Sequence, residues 1–267
     1  MTEIHRRTAL RFLGAGAAAC PLCAGIAGAL AAEAKGAAGQ VAAHPHWSYE
    51  GAGAPEHWGR LEPQFRVCDL GLEQTPIDLK GAVKAELSGV APAFAEMPLT
   101  IVNNGHTVQV NCPPGSHTVI AGERFELLQF HFHGPSEHTI NGKRFAMENH
   151  FVHRSASGRL AVLGVFINEG APHAALEPVF AAFPEREGPA RATGATLRPA
   201  AMLPTERGYF RYAGSLTTPP CSEGVLWTVF KEPIEASSAQ IRRFAALFPD
   251  NARPVQAVHR RFLLESR

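Results

Sequence analysis

Leu127-Leu128-Gln129-Phe130-His131-Phe132-His133 alternates apolar and polar side chains with the period of a β-strand that has one buried face. Successive side chains of a strand point to opposite faces, so we expect Leu128 and the two phenylalanines on one face and Gln129 and the two histidines on the other. His131 and His133 are then two imidazoles on one side of a rigid strand. Such a pair can converge on one metal ion, but two histidines at this spacing alone are more often hydrogen-bonded residues of a protein core.

A second strand, predicted at Arg144–His153, brings a third imidazole. Alternation places Glu148, His150 and Val152 on one face, and the preceding Asn141-Gly142 turn makes this strand a hairpin partner of the first. Three neutral nitrogen donors suit a tetrahedral Zn²⁺ ion whose fourth position is left to water. A structural zinc site would have a fourth protein ligand, usually cysteine, and the sequence places none nearby.

Gln129 and Glu148 stand two residues before His131 and His150, on the same strand faces. Their side-chain oxygens can accept hydrogen bonds from the imidazole N–H groups and so set the tautomer that faces the metal. We therefore predict these two residues as partners of the ligands.

The rest of the chain indicates a mostly β protein of the α+β class with a few peripheral helices. Short apolar strands bounded by turn signals recur along it, at Leu99–Val102, Thr107–Val110, Thr118–Ile120, Glu126–His133, Arg144–His153, Leu160–Ile167 and Val225–Phe230. Helical signals are confined to Ala174–Phe183 and to Ser237–Phe248, which opens on a serine N-cap.

Composition excludes several classes of protein. The 267 residues are 45% hydrophobic, which excludes a disordered chain, and 25 Lys+Arg balance 24 Asp+Glu. That balance argues against nucleic acid or an anionic membrane as the main partner.

The first 34 residues have the features of an export signal. Arg6-Arg7 precedes a weakly apolar stretch up to Ala32, and small residues around Ala34 offer cleavage sites. The paired arginines resemble a twin-arginine signal, and Pro21 with several glycines makes a poor membrane helix, so we expect no stable membrane span. We predict a signal at 1–34, a flexible lead at 35–45, and one globular domain at 46–267.

Removal of the signal leaves three cysteines, Cys68, Cys112 and Cys221. An exported chain meets oxidising conditions, so two of the three are expected to form a disulfide. Three pairings remain open from the residues alone.

Ordered motifs over about residues 46–262 carry a resemblance to the α-class carbonic anhydrases of exported bacterial type. They include Gln129-Phe130-His131-Phe132-His133, Ser136-Glu137-His138, Glu148-Asn149-His150, His46-Trp47-Ser48-Tyr49, Asn103-Asn104-Gly105-His106, Ser215-Leu216-Thr217-Thr218-Pro219-Pro220-Cys221 and Asn251-Ala252-Arg253-Pro254. The resemblance implies a large twisted, mainly antiparallel central sheet.

The resemblance also implies an activity and its residues. Zn²⁺ on His131, His133 and His150 would acidify a bound water to a pKa of about 7, for which carbonic anhydrase is itself the standard example, and zinc-bound hydroxide would hydrate CO₂ reversibly to bicarbonate and a proton. Thr217 would orient that hydroxide with its own proton held by Glu137. His106 would carry the released proton to buffer.

Further implications concern the substrate pocket, the disulfide and the setting of the protein. The CO₂ site would be formed by Val152, Val162, Leu216, Thr218 and Trp227, and the disulfide would be Cys68–Cys221 with Cys112 free. From the resemblance we expect inhibition by sulfonamides and by anions, and a homodimer stays open. The export signal predicts a periplasmic or secreted location. Thr75 departs from the serine common there.

Two other functions are alternatives to CO₂ hydration. The first is a cupin, because the spacing His131-x-His133-x₃-Glu137 is that of the metal ligands in the first cupin motif. The second cupin motif needs a Pro-x-Gly sequence before its histidine, and the residues before His150 lack it. A catalytically silent carbonic-anhydrase-like binding module would typically lack a metal ligand. His153 is predicted to be structural. The other histidines are predicted to lack a converging partner; they are His138, His117, His57, His173 and His259.

Overall fold

The computed structural model describes residues 46–267, so the signal and lead predicted at 1–45 lie outside the described part. Within it the chain forms thirteen strands, numbered β1 to β13 in chain order. They are Val83–Ala85, Val90–Ala93, Met97–Asn103, Val108–Asn111, His117–Ile120, Glu123–His133, Met147–Ser155, Leu160–Glu169, Arg191–Leu197, Tyr209–Ser215, Glu223–Phe230, Ile234–Ala236 and Leu264–Ser266.

One sheet contains all thirteen strands, in the order β1-β13-β10-β11-β8-β7-β6-β4-β3-β9, with β12 beside β8 and β5 joining β2 to β6. Most pairs are antiparallel, and the parallel ones are β1 with β13 and β8 with both β11 and β12. The predicted fold class, mostly β with a large mainly antiparallel sheet, is confirmed.

The hairpin partnership of β6 and β7 at the centre of the sheet is also confirmed. The two strands are antiparallel, with His131 directly opposite His150 and His133 opposite Glu148. Asn141 and Gly142 both adopt positive φ, as a two-residue turn requires, but this turn closes a small bridge between Ile140 and Lys143 within the connection.

The assignment of Leu128 to the buried face was wrong. A bulge between Leu127 and Gln129 shifts the register against β7, so Leu127 packs in the core with Phe130 and Phe132, while Leu128 is half-buried. A bulge inserts one residue and reverses which face the preceding side chains occupy. The histidines lie after the bulge, so their common face is preserved.

Apolar clusters cover both faces of the sheet. Seven consecutive residues of β8, from Ala161 to Ile167, are buried, as expected of a strand packed on both sides. Phe130, Phe151 and Leu163 belong to one cluster, and Val162 and Trp227 to the other. The metal-site face of β6 and β7 therefore adjoins the second cluster.

Helices are short and peripheral. The α-helices are Trp58–Leu61, Val67–Leu70, Glu177–Ala181 and Ser238–Ala245, and the 3₁₀ turns are Gly51–Gly53, Pro55–His57, Pro63–Phe65 and Pro199–Met202. Ser237 caps the last helix through a reciprocal bond pair with Gln240, as its sequence predicts. The predicted helix at Ala174–Phe183 contracts to its central part. None of the helices in residues 46–267 is both long and apolar enough to cross a membrane.

Candidate metal centre

His131, His133 and His150 come together on the central hairpin. One ring nitrogen from each lies within 4.8 Å of the other two, and the ring centroids are 4.6–5.4 Å apart. His131 and His133 share a face because they are two residues apart on β6, and the β6–β7 register brings His150 opposite.

The second nitrogen of each ring is held by a protein acceptor. His131 donates from Nδ1 to Gln129 Oε1 at 2.8 Å, and His150 from Nε2 to Glu148 Oε1 at 2.9 Å. These are the partners that the sequence predicts. His133 donates from Nδ1 to the backbone oxygen of Asn251 at 2.7 Å, a partner 118 residues away that has no signal in the sequence.

The remaining nitrogens are therefore free to bind a cation. They are Nε2 of His131, Nε2 of His133 and Nδ1 of His150, and the Nε2 atom of His133 is buried with no hydrogen-bond partner. A buried imidazole lone pair without a donor is costly unless it binds a metal ion or a water molecule. The donor set fits Zn²⁺, which accepts three histidine nitrogens and leaves one position open.

Electrostatics keeps the rings of His131 and His133 neutral, as metal binding requires. Burial, reinforced by the other two ligand histidines, holds the pKa of His131 well below its usual value, and burial also lowers the pKa of His133. Burial opposes ionisation of Glu148, but His138 and His150 outweigh it and lower the pKa of this carboxyl. Glu148 is therefore a charged acceptor for His150.

The prediction that His138 lacks a partner was wrong. Its Nδ1 donates to Glu148 Oε1 at 2.7 Å, and its Nε2 lies 2.6 Å from the hydroxyl oxygen of Tyr212. His138, Glu148 and His150 are thus a second group close enough to hold a metal ion. Because their contacts are already hydrogen bonds, the three ligand histidines with the unpartnered nitrogen are the better metal site.

Glu137 and Thr217 are both buried, and Glu137 lies beside the ligand histidines. Glu137 Oε1 accepts a hydrogen bond from the backbone N–H of Arg253 at 2.9 Å. Its Oε2 has no hydrogen-bond partner among residues 46–267 and lies 3.5 Å from His133 Nε2 and 3.8 Å from His150 Nδ1. Glu137 therefore lies at the site. Thr217 directly precedes Thr218, which lines a cavity together with His131 and His133, and no hydrogen bond links the hydroxyl of Thr217 to Glu137 in the described structure.

A small cavity of about 120 Å³ opens onto the ligands. Thr218 and His106 line it together with His131 and His133. The predicted apolar residues group behind His150: Val162 and Trp227 are buried, Val152 and Leu216 pack on them, and the Trp227 ring meets His150 edge-on at 4.9 Å. A larger surface groove of about 720 Å³, lined by Leu72 and Phe262, contains none of the predicted site residues.

His106 lies at the rim of this cavity, stacked on Trp47 with ring centroids 3.5 Å apart. Its Nε2 is 3.0 Å from Nε2 of His46, a neighbour 60 residues away that the sequence did not predict. Burial, followed by the effect of His46, lowers the pKa of His106 to about 4, whereas Glu187 acts in the opposite direction. In this position the ring is a weaker proton acceptor than an exposed imidazole.

The predicted Cys68–Cys221 disulfide is confirmed, with Cα atoms 5.1 Å apart and Cys112 free within the described part of the chain. Cys221 ends the turn that carries Thr217, and its backbone N–H donates to Thr218 O at 2.9 Å. The disulfide therefore ties this turn to the helix Val67–Leu70.

A central β-hairpin with three convergent, individually oriented histidines defines the class as a β-sheet protein with a zinc-type metal site. Residues 53–267 match the family model described as eukaryotic-type carbonic anhydrase. The chain belongs to this α-class carbonic anhydrase family.

Individual relatives agree with the family match. A carbonic anhydrase of Nostoc sp. is 46% identical over 227 residues, 83% of this chain and 86% of that protein. One from Klebsiella pneumoniae is 43% identical over 82% of this chain and 91% of its own. The α-carbonic anhydrase of Thermovibrio ammonificans, solved with the inhibitor sulfanilamide, superposes with a TM-score of 0.80 at 47% identity, covering 82% and 98% of the two chains.

Proposed function

We propose that this protein catalyses the reversible hydration of CO₂ to bicarbonate and a proton, with Zn²⁺ held by His131, His133 and His150. The observation that carries the proposal is the free, buried Nε2 of His133 beside the two other ligand nitrogens. Bound zinc would supply Lewis acidity, lowering the pKa of a water molecule to about 7, a value for which this family is the reference.

The chain's own groups prepare the site. Gln129, Glu148 and the Asn251 carbonyl fix the three rings, so the ligands pay little orientational entropy when the ion binds. Three neutral nitrogens leave the charge of the cation undiminished, which favours deprotonation of water beside it.

Glu137 and Thr217 would select and orient the attacking oxygen. Arg253 donates its backbone N–H to Glu137, which leaves Oε2 of the carboxylate as an acceptor aimed at the site. If the Thr217 hydroxyl donates its proton to Glu137 Oε2, it has no proton left for the attacking water. It can then only accept a hydrogen bond from that water. This orients a lone pair of that water toward the carbon of CO₂ and disfavours protonated species.

Apolar side chains would hold the substrate. CO₂ carries no charge, so a site for it needs a dry wall and little else. Val152, Val162, Leu216 and Trp227 belong to one apolar cluster, whose Trp227 ring contacts His150, and Thr218 lines the cavity at the ligands. His106 would take up the released proton at the rim, although its lowered pKa makes it a weaker acceptor than an exposed imidazole.

We further propose that residues 1–34 direct export and that the mature protein is periplasmic or secreted. The Cys68–Cys221 disulfide supports this, since structural disulfides persist in oxidising compartments. Mass determination of the exported protein tests it: a mature chain beginning near residue 35 is expected, and an intact 267-residue chain in the cytoplasm would contradict it.

A stopped-flow CO₂ hydration assay, with and without an aromatic sulfonamide, tests the proposed activity. We expect sulfonamide-sensitive hydration and stoichiometric zinc, both abolished in His131→Ala. His57→Gln is the matched control, because this histidine lies outside the site and should retain both. A zinc-replete, correctly folded protein without hydration would favour the silent binding module, and iron in place of zinc would favour the cupin.

A further inference from the structure

A chain of buried hydrogen bonds begins at the metal ligand His150 and continues beyond Glu148. Glu148 Oε1 accepts from both His150 and His138, and Glu148 Oε2 accepts the backbone N–H of His138 at 2.9 Å. His138 in turn shares a 2.6 Å hydrogen bond with the hydroxyl of Tyr212. The chain thus crosses from β7 to β10.

The other end of the chain is the loop that carries Thr217. The Tyr212 hydroxyl donates to Thr75 Oγ1 at 3.2 Å, and the same oxygen accepts the backbone N–H of Ser215 at 2.9 Å. The Thr75 N–H donates back to Ser215 Oγ at 3.0 Å. Ser215 is the last residue of β10, two positions before Thr217.

Burial strengthens this chain of hydrogen bonds and makes it rigid. Thr75, His138, Glu148 and Ser215 have no measurable exposure, and Tyr212 is only 2% exposed. Hydrogen bonds in such a low-dielectric region are stronger than in water, and a group left without its partner is costly. A Cβ on Gly214 would lie 2.2 Å from Thr75 Oγ1, so the loop packs on this hydroxyl with no slack.

We propose that His138, Tyr212 and Thr75 are positioning residues that couple the orientation of His150 to the position of the Thr217 loop. The inference deepens the proposed function and rests on it, because it assumes that the His150 nitrogen binds zinc. Binding of the ion adds a second constraint to the His150 ring, which already donates to Glu148, and Glu148, His138, Tyr212 and Thr75 transmit that constraint to the backbone of Ser215. The distance between the Thr217 hydroxyl and the metal ligand His150 then stays constant.

Amide hydrogen exchange in the Thr217 loop, measured with and without bound zinc, tests this proposal. In the wild type we expect the Ser215 amide and the peptide around it to exchange more slowly when zinc is bound. Tyr212→Phe breaks the chain at its middle and keeps the ring, so it should abolish most of this zinc-dependent protection. It should also speed zinc transfer to a chelator by about threefold to tenfold, the range expected from one buried hydrogen bond.

Tyr209→Phe is the matched control. Tyr209 is also buried on β10, and its hydroxyl donates to Ser88 O at 2.6 Å, away from the site. This variant should lose similar stability but keep the zinc-dependent protection and the zinc dissociation rate. Thr75→Val should weaken loop protection and lower kcat/KM, and Thr75→Ser, which retains the hydroxyl, should restore both.

Protection that persists in Tyr212→Phe, or equal effects of the two tyrosine variants, would overturn the proposal. The exchange and zinc measurements need no catalysis. A wild type that shows the coupling but does not hydrate CO₂ would therefore leave the positioning role intact and refute the proposed function alone.

Discussion

Removal of the Cys68–Cys221 disulfide is expected to cost this protein a large part of its stability and to loosen its Thr217 turn. The bridge joins residues 153 positions apart. The chain-entropy relation assigns about 5 kcal/mol at 25 °C to a loop of this length. Measured losses for native disulfides usually run from about 2 to 5 kcal/mol, so we expect a value within this range.

Local contacts explain why the fold itself should survive. Cys221 is fully buried, its carbonyl accepts from Gln74 Nε2 at 3.1 Å, and Arg253 donates to Cys68 O at 2.9 Å. These hydrogen bonds keep both chain segments in place after the covalent link is lost. The Thr217 turn loses its anchor to the helix Val67–Leu70, so kcat/KM should fall more than zinc content.

Urea unfolding of a Cys68→Ser/Cys221→Ser double variant measures the cost, and stopped-flow hydration measures the effect on the turn. Cys112→Ser is the control, because Cys112 is free and half-buried. A double variant whose free energy of unfolding lies within about 1 kcal/mol of the wild-type value, below the usual range of about 2 to 5 kcal/mol, would refute the reasoning.

Three further predictions concern single residues. His106→Ala should slow turnover in dilute buffer with kcat/KM unchanged, and added imidazole should restore the rate; a rate insensitive to both would remove His106 from proton release. Thr217→Ala should retain zinc by metal analysis while kcat/KM falls by about 100-fold or more, as expected when a group that orients the attacking oxygen is lost; full activity would contradict that role. Burial lowers the pKa of His153 from 6.5 to about 4, so the folded ring stays neutral where the unfolded one is protonated. Stability should therefore be complete above pH 6.5 and decline toward pH 4, by up to about 3 kcal/mol, and His153→Gln should flatten this decline in zinc-free unfolding curves.

Much of the metal site was predictable because it depends on strand geometry. Alternation along β6 and β7 sets the direction of His131, His133 and His150, and each of Gln129 and Glu148 meets the ring two residues ahead. A bulge changed the face of Leu128, since one inserted residue leaves no mark on the apolar pattern.

Contacts between distant segments were not predictable in the same way. His138 appeared isolated because its connection after β6 is irregular, and its partner Tyr212 lies 74 residues further on. The Asn251 carbonyl that orients His133 has no side-chain signature at all, since any residue has a backbone oxygen. The Trp47 and His46 neighbours that weaken His106 as a base likewise come from a separate segment.

By itself the sequence determined the strand class, the shared face of the ligand histidines and the serine cap of the last helix. All three follow from local backbone geometry, which repeats every two or every 3.6 residues. Only the tertiary structure decided which nitrogens are free, which backbone carbonyl holds His133, and how a buried hydrogen-bond chain joins His150 to the Thr217 loop. Those contacts depend on how strands far apart in the chain pack side by side, and their chemistry appears only when the sheet has assembled.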